Sequence, residues 1–249
     1  MASARADPAW GSSPEERASR LARAVKVAGV ISVVGYFAAL VGIFFPRPFA
    51  LWIIVLTLAP PAFFIWTLAC RGRWSIGSTN EDPRPQVGDA VRILALALGL
   101  RGLLDTHIYD LQLLLATCAL IAIGAAFASY DIAKSGPRPR ATIILVVVVT
   151  MIWAYGAISE ANVWLDRGPP TATRVVSLIR KDVSRGKSTT YSLVTKSWRG
   201  GKSATSTDVP RALWDSLSVG DDVCIQDHQG ALRLRWFQID RCPSAPVRS

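Results

Sequence analysis

Four stretches of the chain run without a single Asp, Glu, Lys or Arg: Val27–Phe45, Pro48–Cys70, Leu111–Tyr130 and Ala141–Ser159, of 19, 23, 20 and 19 residues. A helix needs about 20 apolar residues to cross the hydrocarbon core of a bilayer, so each stretch predicts a membrane span. The last continues in apolar character to Trp164. A fifth segment, Val91–Leu104, is interrupted by charge: only the eight residues Ile93–Leu100 separate Arg92 from Arg101, about 12 Å of helix. With both arginines in water it is too short to span. With their side chains snorkelling it can span; otherwise it lies in the interface plane. Pro46-Arg47-Pro48 leaves room only for a tight hairpin between the first two spans, and Pro60-Pro61 predicts a kink, tolerated if neighbouring groups satisfy the freed carbonyls. Residues 71–90 have many breakers and no hydrophobic period, which reads as a loop.

From Arg167 the pattern changes to short alternating runs, with Gly168-Pro169-Pro170 as the break. Strands are expected at Thr173–Lys181, Thr189–Trp198, Ser203–Val209, Asp222–Asp227 and Ala231–Ile239. In the last, Leu232, Leu234 and Trp236 alternate with Arg233 and Arg235. A short helix is expected over Pro210–Leu217, with Pro210 in its first turn. Val219-Gly220-Asp221 and His228–Ala231 read as turns. The predicted fold is therefore an α-helical transmembrane bundle of five spans, alternatively four, followed by a small mostly-β domain of OB- or SH3-like barrel or sandwich kind. The domains are a polar tail (residues 1–26), a membrane domain (27–164) and a C-terminal β domain (165–249). Within the tail, residues 1–14 are expected to be disordered and Glu15–Lys26 to form a helix leading into the first span. The 19-residue first span is too long for a signal peptide and no cleavage motif closes it.

Composition agrees: 51% of the 249 residues are hydrophobic and 18% charged, against about 25% charged in soluble domains. Lys and Arg number 28 against 18 Asp and Glu. Residues 165–249 hold 14 basic and 8 acidic groups, but no nucleic-acid-binding signature accompanies that excess. In a membrane protein, basic residues mark cytoplasmic loops. Five spans with the N-terminus inside put 12 Lys and Arg of the tail and loops inside and only Arg47 and Arg101 outside. Four spans move Lys134, Arg138 and Arg140 outside. The count favours five spans and an extracytoplasmic β domain, with Trp153, Tyr155 and Trp164 as an outer aromatic belt. Cys224 and Cys242 would form a disulfide there, and would be free thiols in a cytosolic domain. Cys70 and Cys118 read as small packed residues.

The series Tyr191-Ser-Leu193, Trp198, Val209, Leu213-Trp214, Leu217, Val219-Gly220-Asp221-Asp-Val223-Cys224, His228-x-Gly230-Ala231-Leu232, Trp236 and Cys242 resembles an uncharacterised family of bacterial multi-pass inner-membrane proteins that end in a small β domain. Leu100–Asp105 followed by Asp110 is similar to that family's middle segment. The second glycine of the family's hairpin is Arg233 here. The resemblance implies an inner-membrane location and the Cys224–Cys242 pair, and no activity; in such a membrane the counted topology expects a cytoplasmic N-terminus and a periplasmic β domain.

Candidate chemistry is sparse. No nucleophile motif is present, and with only two histidines and no C-x-x-C a zinc site lacks ligands. No catalytic, cofactor-binding or metal-binding residues are expected. His107 beside Asp105 and Asp110 could act as an acid–base group but reads first as a polar turn between helices. Glu160 is the one ionisable residue near the end of a span and reads first as exposed to headgroups. Arg233, Arg235 and Arg241 could form a basic face for an acidic partner, or a solvated strand face. Gly35-x-x-x-Ala39 and Gly124-x-x-x-Ala128 allow close helix approach, within the chain or to a second copy. The expected partners are the lipid bilayer and a protein partner or second copy. The expected function is to anchor a small binding or scaffolding β domain at the membrane. The alternatives are a transporter or membrane-enzyme component, and a cytosolic basic domain that binds acidic partners.

Overall fold

The structure, a computed structural model, describes residues 10–44, 49–70, 73–75, 84–134, 138–185, 189–198 and 204–242. The disorder expected for residues 1–14 falls outside the described residues as far as residue 9, as do the Pro46-Arg47-Pro48 link and most of the loop after Cys70. Two compact units emerge: residues 1–106 with 111–161, and residues 107–110 with 162–249.

The first unit is helical: α1 (Pro14–Phe44), α2 (Phe49–Ala69), α3 (Gly88–Asp105), α4 (Leu111–Lys134) and α5 (Pro139–Trp164). α1, α2, α4 and α5 are long and apolar enough to cross a membrane. Their outer faces stay apolar without protein cover: Phe127 is 79% exposed, which suits a hydrocarbon solvent. Ser13 and Pro14 start α1, with the Ser13 hydroxyl accepting the Glu16 N–H at 3.1 Å, a cap that satisfies one orphan donor of the first turn. The helix expected at Glu15–Lys26 is thus the first half of α1, and Trp10 packs with Leu21, Ala24 and Ala28.

α1, α2 and α5 are held together by small residues and by α3, whose 18 residues span about 27 Å. Gly35 faces the Ala90 backbone, and a side chain at Gly156 would meet the Leu98 carbonyl oxygen at 2.3 Å, so α3 lies in close contact with both α1 and α5. Gly35 and Ala39 are buried, as their spacing suggests, whereas Gly124 has nothing within 4 Å. These contacts also fix direction. α3 meets α1 first at Gly35, through Ala90, then at Gly42, through Arg101. It borders α5 first at Leu145–Thr150, beside Gly88–Arg92, then at Gly156 and Ser159, beside Gly102. α1, α3 and α5 therefore run the same way. Pro61 deprives the Thr57 carbonyl of its helical donor, and the Trp153 indole N–H of α5 supplies one at 3.0 Å.

The second unit contains β1 (Ala172–Arg185), β2 (Thr189–Thr195), β3 (Thr205–Asp208), the short helix α6 (Arg211–Ser216), β4 (Asp222–His228) and β5 (Trp236–Arg241). They form one antiparallel sheet in the order β3-β2-β1-β4-β5. β1 serves both halves. Ala172–Ser177 pair with β4 and Leu178–Arg185 with β2, with a register shift between Leu178 and Arg180. Such a shift bends a strand and raises its twist, curling the sheet around Leu178, Leu193, Trp198, Leu217, Val223, Ile225, Phe237 and Ile239. α6 lays Leu213 and Trp214 against this core.

Three sequence boundaries shift. The strand expected from Ala231 starts only at Trp236, because residues 229–235 form the turn. The β unit begins at Asn162, not Leu165. It also recruits residues 107–110 from the connection between α3 and α4: the Tyr109 N–H donates to the Arg235 carbonyl at 2.8 Å and the Phe237 N–H to the His107 carbonyl at 3.1 Å, extending the sheet beyond β5.

Candidate functional site

The β unit holds a cavity of about 600 Å³ bordered by Tyr109, Arg174, Trp198, Asp227, His228 and Arg235, with Thr171 and Ala172 at its rim. Its geometry is set by the sheet. Arg174 and Asp227 lie on the adjacent strands β1 and β4, two residues out of register. Asp227 is the centre of the wall. Its Oδ1 accepts the Tyr109 hydroxyl at 2.7 Å, its Oδ2 pairs with Arg174 Nη2 at 3.0 Å, and its backbone carbonyl accepts the Thr171 hydroxyl at 3.0 Å. Arg174 Nη1 donates to the Trp198 carbonyl at 2.8 Å. On the other side, Arg235 grips Asp110 through Nε at 3.1 Å and Nη2 at 2.6 Å, and its backbone N–H donates to the same carboxylate at 2.8 Å. The side-chain hydrogen bond from Arg235, helped by its backbone N–H, holds the Asp110 carboxyl below the usual carboxylate range.

His228 stacks on Trp236, ring centres 4.3 Å apart. Its Nδ1 is 3.6 Å from the Asp166 carboxylate, beyond hydrogen-bond length, and neither ring nitrogen has a hydrogen-bond partner. Asp166 is pushed up by burial, but hydrogen bonds from the Trp236 indole N–H and the Gly168 N–H, with His228 nearby, bring it below its ordinary value overall.

One turn beside the cavity is built on Asn162. Its side-chain N–H donates to the Leu234 carbonyl at 2.8 Å, its Oδ1 accepts the Leu232 and Leu234 N–H groups at 3.0 and 3.3 Å, and its own carbonyl accepts the Ala231 N–H at 3.0 Å. Gly230 has φ +75°, and a side chain there would meet the Asn162 amide at 2.4 Å. Arg233 takes φ +61°, a conformation that costs an L-residue roughly 1–2 kcal/mol.

Cys224 and Cys242 are bonded, 18 positions apart, joining β4 to the residue that follows β5. The other candidates separate. His107 stacks on Phe237 at 4.9 Å instead of forming a polar turn, because its backbone is drawn into the sheet. Asp105 pairs with Arg101 in the helical unit, and Asp110 with Arg235 in the β unit. Arg233, Arg235 and Arg241 are no strand face: they stand in the turn, at the clasp with Asp110 and at the end of β5. Glu160 is 2% exposed, a correction to its expected place among headgroups. It lies within electrostatic range of Arg101 and Asp105, and its Oε1 has no hydrogen-bond partner. Arg101 is itself buried, and its Nη1 donates to the Gly42 carbonyl at 2.9 Å, so it reaches a carbonyl and two carboxylates rather than water. Among the described residues no group of three or more His, Cys, Asp or Glu could hold a metal.

Tyr109 and Asn162 were missed from sequence, Asp110 was read there only as a neighbour of His107, and Asp227 only as the end of a strand. The polar Asn162 inside an apolar run was the one available signal. Comparison with known proteins gives no match to a family model, a curated protein or a solved structure.

Proposed function

We propose that the chain is a five-span protein of the bacterial inner membrane that displays its β unit on the periplasmic side as a binding or scaffolding module. The observation that carries this reading is the shared direction of α1, α3 and α5. With α2 and α4 returning between them, the chain crosses an odd number of times, and the β unit that follows α5 emerges opposite the N-terminal tail. The buried Arg101 supports a crossing by α3, since its charge is met by Asp105 and the Gly42 carbonyl and need not reach water. The basic tail and the Lys134–Arg140 loop fit the cytoplasmic side, the Cys224–Cys242 bond fits an oxidising compartment, and the resemblance to bacterial inner-membrane proteins points the same way. The cavity gives the β unit something to bind with. A second reading, a transporter or membrane-enzyme component, draws on the buried Glu160 beside Arg101 and Asp105.

The test is thiol labelling of intact cells with a membrane-impermeant maleimide, on a variant in which Cys70 and Cys118 are alanine. Labelling that requires a reductant but no permeabilisation is expected. Labelling that requires permeabilisation but no reductant would overturn both the sidedness and the disulfide.

A further inference from the structure

We propose that the cavity of the β unit binds a small soluble anion, a carboxylate or phosphate carried on a ring-sized apolar body. This names the ligand class of the binding module proposed above and rests on that reading. A volume of about 600 Å³ lies within the range of small-molecule sites.

Its charges are arranged to favour an acceptor. The carboxylates that pair with the two wall arginines are the less exposed partners: Asp227, in the wall, is 13% exposed while Arg174 is 51% exposed, and Asp110, behind it, is 20% exposed while Arg235 is 69% exposed. The solvent-facing side of each ion pair is therefore a guanidinium. A guanidinium carries five N–H groups. Arg174 uses Nη1 and Nη2 for Trp198 and Asp227, and Arg235 uses Nε and Nη2 for Asp110, so each keeps donors for a ligand in a fixed frame. Asp227, already holding the Tyr109 hydroxyl and Arg174, positions the donors.

His228 completes the wall: its side chain is 11% exposed, it borders the cavity and it stacks on Trp236 at 4.3 Å. Its two ring nitrogens are sealed from solvent and leave the ligand's charge to the arginines. Tyr109 and Trp198, in edge contact at 6.2 Å, give the apolar wall that would face a ring.

Three probes sharing one ring separate the components: phenyl phosphate, benzoate and phenol, titrated calorimetrically into the full-length detergent-solubilised protein. At least one anion is expected to bind roughly tenfold or more tighter than phenol. Ala172→Trp, which fills the cavity from an exposed position beside Asp227, its cross-strand partner, and removes no charged group, should abolish that binding. Arg174→Gln should weaken it about tenfold, a second check that does not depend on the first variant folding. Phenol binding as well as the anions, full affinity in folded Ala172→Trp, or no saturation by either anion up to ~10 mM would overturn the proposal. Solubilised protein has no sidedness, so this result is independent of the thiol-labelling result.

Discussion

Replacing Asn162 by alanine isolates the one side chain that holds the 230–234 turn. Asn162 is fully buried, and the substitution removes three hydrogen bonds, to the Leu234 carbonyl and from the Leu232 and Leu234 N–H groups. Each is worth about 1 kcal/mol net, and more where the backbone partner is left buried without a replacement. The loss is therefore about 3 kcal/mol, a large share of the 5–15 kcal/mol that stabilises a domain. For a domain of this size it corresponds to a fall in Tm of roughly 12–24 °C. Amide exchange locates the effect: the Leu232 and Leu234 amides should exchange about 100-fold faster, while the Val223 and Ile225 amides in β4 change only with global stability. Unchanged exchange at Leu232 and Leu234, together with a Tm drop under about 3 °C, would refute the assignment of the turn to Asn162.

Two further outcomes follow from geometry and charge. Gly156→Ala should destabilise the solubilised protein by about 1–3 kcal/mol, because its Cβ would lie 2.3 Å from the Leu98 carbonyl oxygen. Gly124→Ala, with nothing within 4 Å, should be neutral or slightly stabilising; equal thermal shifts for the two would contradict the packing of α3 on α5. The Asp110 carboxyl, held low by Arg235, contributes stability that is present above the unfolded value of about 3.9 and is lost as pH falls through the lower folded value. An NMR titration of that carboxyl should show a midpoint below about 3.9, and a midpoint at or above it would break the clasp argument.

How far the sequence could be read depended on the range of each interaction. Charge-free runs of 19–23 residues marked the four long helices because crossing hydrocarbon is a local requirement, met residue by residue. Alternation located β1, β2 and β4 for the same reason. What alternation misplaced was Ala231–Arg235: Leu232, Arg233 and Leu234 alternate as a strand would, yet Gly230 and Arg233 take positive φ under the hold of an asparagine about 70 positions earlier. His107–Asp110 likewise carries no strand signal of its own, since its pairing is dictated by β5. The candidate cavity was illegible because its wall comes from β1, β4, the Arg235 turn and a helix connection. Glu160 was misjudged because a carboxylate at the end of an apolar run looks exposed until Arg101, its distant counter-charge, is placed.

The recruitment of residues 107–110 has a consequence for biosynthesis. Asp110 leaves the ribosome 125 residues before its partner Arg235, a delay of roughly 6–25 s at ordinary elongation rates. During that interval α4 and α5 are made and must find their places, while residues 107–110 have no β5 to pair with. The β domain therefore matures only after the helices that interrupt it. A fragment beginning at Arg167 would lack both the 107–110 segment that bonds to β5 and Asn162, so the domain's folding belongs to the whole chain and not to its C-terminal third.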